Sequence, residues 1–328
     1  MQTYHLSEHL SMIDVQPPIS GWNEFVGVYV LGREQMALID AGPYCSAGNL
    51  INGLDELGIE RENVSYIFLT HIHIDHAGAA GELLQHLPNA RVVVHPRGAS
   101  HLANPDKLWE GSLKTLGDLA KKQGRPQNVA PERIIAAEEG TIIPLGDEFE
   151  LEVIHTPGHA AHHMSFFDRR SGKLFAGEAG GAYTPKVNLL RPATPPPLLL
   201  EHYLESIDKL LRRDATGIYY AHYGPDEDAR TKLQRRKEQA KLWREVICDA
   251  LEHGAEYEDI FSKLMAEDAS LNGLKELPKD QYQREHYFII NAIGGFVGYI
   301  KKQKRELLLS SGYKLRSMTC HGRGHRIT

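Results

Sequence analysis

The stretch Thr70-His71-Ile72-His73-Ile74-Asp75-His76 constrains this chain more than any other. An apolar run, Val64 to Leu69, leads into it, and a small-residue run, Ala77 to Gly81, leads out. At the end of an extended strand, residues two apart project to the same side, so His71 and His73 are expected to point together. Asp75 and His76 follow where the chain is expected to turn into a helix. Imidazole and carboxylate donors gathered this closely suit zinc, iron or manganese. The chain holds 18 His among 328 residues. Even so, three His and one Asp at these fixed places arise by chance with a probability on the order of 0.3% over the chain.

This HxHxDH pattern resembles the first motif of the metallo-β-lactamase-fold superfamily. The resemblance implies an α/β (α+β) fold, an αββα sandwich with a metal site at one edge of its two sheets, over roughly residues 1–226. It also implies where further ligands lie. His159 closes His155-Thr156-Pro157-Gly158-His159 and takes the place of the third ligand of a first metal, beside His71 and His73. His222, before Tyr223-Gly224-Pro225, takes the place of the last ligand, completing a second set with Asp75 and His76. After Gly177 the family has a bridging Asp; this chain has Glu178, whose extra methylene moves the carboxylate by ~1.5 Å on an unchanged backbone. Asp40, in Asp40-Ala41-Gly42-Pro43, is expected just behind the ligands, and Thr70 and His163 are expected to support them. His95 and His155 read as structural.

Charge and composition narrow the partners. The 37 basic and 43 acidic residues give a net charge of −6, which argues against a nucleic-acid protein relying on a strong basic field. No apolar run approaches ~18 residues and no signal pattern opens the chain, so no membrane partner is expected. Cys45, Cys248 and Cys320 are widely spaced and odd in number, which suggests a reducing compartment and a cytoplasmic protein.

Strands are expected at Leu10–Val15, Phe25–Leu31 and Met36–Ile39, and a helix over 47–57 closed by Gly58. A single helix is expected from His76 to Leu87. Residues 104–131 are polar with a helical middle, an insertion expected near the mouth of the site, with Trp109 a candidate lining residue. Residues 182–197 carry five of the 17 prolines and read as a stiff extended segment. A boundary is expected near Pro225 to Asp228, dividing a catalytic domain, 1–226, from a helical region, 227–310, with helices over 228–253, 257–266 and 281–309. The last has an apolar stripe including Tyr287, Ile290, Ile293, Phe296, Val297 and Ile300. This region resembles the helical C-terminal parts of type II glyoxalases and some quorum-signal hydrolases, which close over the site; a dimerisation or stabilising cap is the alternative. Residues 311–328 read as a disordered tail, so His321 and His325 are left out of the site.

Two cations ~3.5–4 Å apart can share a hydroxide, because coordination lowers the pKa of water from ~15.7 towards ~7. The expected function is a dinuclear metal-dependent hydrolase, with Asp75 as its catalytic carboxylate and two divalent ions, zinc first and iron or manganese as alternatives. The expected substrate is a small ester-type molecule, a thioester or lactone. A phosphoester is disfavoured because Lys186 and Arg191 are the nearby cations. Candidate substrate contacts are Tyr183, Arg191, Tyr223, Tyr282 and His286. The alternatives are an iron-dependent oxygenase or reductase of the same fold, and a ligand-binding signal-response protein with residual hydrolase activity. A homodimer is open.

Overall fold

The computed structural model describes residues 1–311. Residues 312–328 of the expected tail, with its two histidines, lie outside the described residues. A first sheet carries β1 (Gln2–Ser7), β2 (Leu10–Asp14), β3 (Gly27–Gly32), β4 (Met36–Ile39), β5 (Val64–Phe68), β6 (Arg91–Val94) and β7 (Ile134–Ala136) in that order. The first four strands run antiparallel, and β4 to β7 run parallel. The parallel crossovers contain α1 (Ala47–Glu56), then α2 (Ile74–Ala77) and α3 (Ala80–His86), then α4 (Pro96–Ala103), α5 (Asp106–Leu116) and α6 (Asp118–Gln123). The second sheet is built from β8 (Ile142–Leu145), β9 (Phe149–His155), β10 (Met164–Asp168) and β11 (Lys173–Phe175). A separate hairpin, β12 (Ala182–Thr184) and β13 (Leu189–Arg191), follows, then α7 (Leu200–Leu211), after which β14 (Gly217–Tyr219) and β15 (Pro225–Asp226) rejoin the second sheet. The chain continues as α8 (Ala229–Glu252), α9 (Tyr257–Glu267) and α10 (Lys279–Ser311).

The two-residue period of the strands builds the layers. Along β3, Tyr29 and Leu31 face the space between the sheets, while Val28 and Val30 face α1 and α3. Leu151 and Val153 of β9 meet the first sheet's inner face; Ile154 turns to the other side, where α7, α8 and α10 pack. The result is helix, sheet, sheet, helix, the expected sandwich. Ile293, Phe296, Val297 and Ile300 of α10 are buried in the same cluster as Ile154, Leu174 and Ile218, so this part of the stripe is covered by its own chain, whereas Tyr287 is exposed.

Three local expectations change. His71 and His73 are not on a strand end: β5 stops at Phe68 and residues 69–73 form an irregular loop. The helix expected from His76 is two short helices, because the Ala79 N–H donates to the Gly42 carbonyl instead of continuing the ladder. Residues 182–191 are a hairpin, with Pro185 in its turn and Asn188 left-handed at φ 48°; only the segment after β13 is an irregular strap.

Candidate metal centre

Every element that carries a donor ends at one edge of the sandwich. Asp40 follows β4, Thr70 to His76 follow β5, His159 follows β9, Glu178 follows β11 and His222 follows β14. The carboxyl ends of parallel strands open crevices where loops can gather side chains. There the structure brings all seven expected donors together as His71, His73, His159 and Glu178 in one group and Asp75, His76 and His222 in another.

In the first group, His73 Nδ1 lies 3.0 Å from His71 Nε2 and 2.9 Å from His159 Nε2. Glu178 Oε2 stands 3.1 Å from His71 Nε2 and 2.8 Å from His159 Nε2. In the second group, His76 and His222 face each other Nε2 to Nε2 at 3.2 Å, with Asp75 Oδ2 at 3.8 and 3.6 Å. Glu178 joins the two, with Oε2 3.6 Å from His76 and Oε1 3.6 Å from His222.

The far side of the rings explains why the nitrogens face inward. His159 Nδ1–H donates to the Ala193 carbonyl at 2.8 Å, and His222 Nδ1–H to the Phe25 carbonyl at 2.9 Å. His76 Nδ1–H donates to Asp40 Oδ2 at 3.0 Å, and His71 Nδ1–H to Thr70 Oγ1 at 3.0 Å. Asp40 also accepts from the Thr70 backbone N–H at 2.8 Å and from its hydroxyl at 2.9 Å. Such outward bonds fix the tautomer and leave the Nε2 lone pairs directed into the site. His163 holds the carboxylate arm: its Nε2 accepts the Glu178 N–H at 3.0 Å, while its Nδ1–H donates to Thr156 Oγ1 at 2.8 Å.

Burial keeps His71 and His163 neutral, well below the ordinary imidazole range, and pushes His73 down to about 3. Burial would raise the Glu178 and Asp75 carboxyls, but the imidazoles outweigh it, His159 foremost for Glu178 and His76 for Asp75, and both stay below the usual carboxylate range. Burial likewise opposes a charge on His76, yet Asp75 and Asp40 outweigh it and raise this ring to about 10. Inward lone pairs and two ionised carboxylates make a donor set that fits divalent cations of the zinc, iron or manganese type, and a cation there would displace the His76 proton.

The family model for the metallo-beta-lactamase superfamily matches residues 22–222, a span that begins before Asp40 and ends on His222. The chain belongs to that superfamily. It is 32% identical over 261 residues to the metallo-beta-lactamase fold-containing protein ST1585 of Sulfurisphaera tokodaii, covering 78% of this chain and 93% of the relative. The solved structure of ST1585 superimposes with a TM-score of 0.61 at 30% identity, covering 71% of this chain and 86% of that one. The family protein TTHA1429 of Thermus thermophilus shares the fold over 92% of this chain and 95% of its own, with a TM-score of 0.65 at 24% identity. The hydroxyacylglutathione hydrolase GloC of Haemophilus influenzae is 30% identical over 163 residues, 49% of this chain and 68% of the relative. This chain is therefore a metallo-hydrolase of the superfamily.

A cavity of about 500 Å³ opens onto His73, Asp75, His159 and Glu178. Its walls come from three directions. The insertion supplies Leu108, Thr115 and Leu116 of α5, the strap supplies Pro195, Pro196 and Pro197, and α10 supplies Phe288, Asn291 and Ala292. The insertion thus lines the mouth as expected, though Trp109 is not on the cavity wall. Arg191 is, but its guanidinium is ion-paired with the buried Glu285. The other candidate contacts sit elsewhere. Tyr183 bonds Asn188 and packs against Lys232, and Tyr223 bonds Tyr4. His286 turns outward to Glu258 at 3.1 Å, and Tyr282 stacks on His286. Lys186 is exposed. Sequence reasoning overlooked Phe288, Asn291 and Ala292, although their i, i+3, i+4 spacing marks one helix face. His162, on the wall with its ring centroid 5.8 Å from that of His73, carried no signal separating it from His163.

Among the described residues no helix is long and apolar enough to cross a membrane.

Proposed function

We propose that this protein is a dinuclear metal-dependent hydrolase of small ester-type substrates, thioesters or lactones with an apolar acyl part, with zinc as the resident metal. One observation carries the reading: the two oxygens of Glu178 face both donor groups, so a single carboxylate can bridge two ions despite replacing the family's aspartate. Ions bound there would supply an activated water and polarise the acceptor carbonyl.

The chain's own residues do the rest. His71, His73 and His159 offer three nitrogens to one ion, and Asp75, His76 and His222 offer a carboxylate and two nitrogens to the other. Asp75 is on the cavity wall and ionised, so it can accept a hydrogen bond from the attacking water and hold its lone pair towards the substrate. The apolar walls from α5, the strap and α10 exclude bulk water and bind an acyl group. In this reading residues 1–226 hold the metals and the helical region from 227 onward completes the pocket through Phe288, Asn291 and Ala292. A phosphoryl substrate fits poorly, because the cationic side chains on the wall are Lys107 and the already paired Arg191. The name of GloC, a hydroxyacylglutathione hydrolase, supports the thioester side of the proposal.

Elemental analysis of the purified chain, followed by thioester, lactone and phosphodiester panels, tests this. Two zinc ions per chain and turnover of thioesters or lactones are expected. One ion at most after reconstitution would overturn the dinuclear reading, and preference for phosphodiesters would overturn the substrate class.

A further inference from the structure

Two of the outward bonds that aim the ligands end on backbone carbonyls, of Phe25 and Ala193. A carbonyl fixes a ring only as firmly as its own loop is held. Both loops are held by α10, which lies beyond the span matched by the family model.

The loop before β3 is tied to the first turns of α10 at several points. Arg284 Nη1 donates to the carbonyls of Gly21 and Asn23, the latter at 2.9 Å. The Arg284 guanidinium lies 4.5 Å from the centroid of the Phe25 ring. Phe25 in turn stacks on His222 at 4.2 Å and 19°, and Phe288 stacks on Phe25 at 5.0 Å. Gly21 has φ +77°, and a Cβ there would come within 2.5 Å of the Asp280 carbonyl oxygen, so loop and helix meet backbone to backbone. Arg284 is buried and balanced by Glu285 at 2.8 Å, and Glu285 also pairs with Arg191. The strap is docked in the same manner: a Cβ on Gly295 would fall 1.9 Å from the Thr194 carbonyl oxygen, one residue from the carbonyl that holds His159.

We propose that α10 is a positioning element of the metal centre, with Arg284 as the positioning residue that orients His222 through the loop 21–25. His222 makes one side-chain hydrogen bond away from the site, to Phe25. Removing Arg284 leaves the buried Gly21 carbonyl and the part-buried Asn23 carbonyl without this donor and frees the loop to shift. The ring of His222 then loses both its acceptor and its stacking partner. Outer partners of metal-binding histidines typically change metal affinity by ~10–100-fold, and that is the size expected here. The numbering of ions rests on the dinuclear reading above; the orientation of His222 does not.

The test uses the full chain with Arg284→Met, Arg284→Lys and, as a control on the same helix, Ile300→Ala. Ile300 is buried in the helical core further along α10 than Arg284, Phe288 and Gly295, so its truncation should lower stability alone. Zinc affinity is measured by competition with a chromophoric chelator, and urea unfolding is followed in parallel. The metal-free protein with ¹⁵N-labelled histidine is also examined, the His222 signal being assigned by its loss in His222→Gln. Arg284→Met should weaken the more loosely held zinc by ~10–100-fold and broaden or remove the His222 Nδ1–H signal. Arg284→Lys, with one ammonium for two carbonyls, should fall between, and it provides the reading should the Met variant not fold. Ile300→Ala should leave zinc affinity and the ring signal as in the parent. A parent that binds one ion only would sink the dinuclear reading, and the ring signal would still decide this proposal. Arg284 variants that lose stability like Ile300→Ala, yet keep zinc affinity and the Nδ1–H signal, would overturn it.

Discussion

Asp40→Asn isolates the role of a single outward bond. Asp40 is buried at 1% exposure and sits at φ 65°, a left-handed conformation that asparagine adopts as readily as aspartate. The substitution therefore leaves backbone and volume nearly unchanged. Oδ1 accepts the buried Thr70 N–H at 2.8 Å, so the new carbonyl oxygen must stay there. The amide NH₂ then takes the place of Oδ2, 3.0 Å from His76 Nδ1. A donor facing Nδ1 requires that atom to accept, which moves the ring proton to Nε2. That is the atom 3.2 Å from His222 Nε2 and pointed into the second donor group. Loss of a ligand-orienting partner costs ~10–100-fold in metal affinity, equivalent to ~1.4–2.7 kcal/mol. For the fold, replacing charge-assisted bonds by neutral ones should cost about 1–2 kcal/mol. Chelator competition reads the first quantity and urea unfolding of the stripped protein the second. An Asp40→Asn protein that binds both ions as tightly as the parent would show that the tautomer of His76 is not set from Asp40.

Three further outcomes are expected. Asp75→Ala should lower turnover by orders of magnitude and release metal from the second group while leaving the core intact, since Asp75 lies at the cavity and not in the sandwich; near-UV circular dichroism and metal content check both halves. Leu116→Trp should fill part of the acyl cavity and raise KM for bulky acyl substrates more than for acetyl ones, and equal effects on both would place the acyl group elsewhere. In the stripped protein, burial holds His95 and His162 down to about 4, whereas the unfolded chain protonates them near 6.5. Unfolded chains thus bind more protons between these values, and stability should fall as pH drops from about 6.5 to about 4. His95→Gln should flatten that slope in urea titrations; an unchanged slope refutes the assignment.

The donors were legible in the sequence because metal chemistry tolerates few residue types and the HxHxDH run fixes four of them locally. Hydrophobic periodicity likewise determined the strands and layers, since alternate residues must be apolar on the buried face of a sheet. The backbone beneath the motif was not legible: His71 and His73 converge from a loop, because Asp40, distant in sequence, pins Thr70 and ends the strand early. Substrate contacts were the least legible. Tyr282 and His286 have suitable chemistry, but the helical phase set by burying Ile293 and Phe296 turns them away and brings Phe288, Asn291 and Ala292 to the cavity instead. The sequence by itself determined which atoms could bind metal, because that depends on residue type and short spacing. Only tertiary structure decided which carbonyls and side chains hold those atoms in place and which surface meets the substrate, because these follow from packing between segments more than a hundred residues apart in the chain, as with Phe25 and His222.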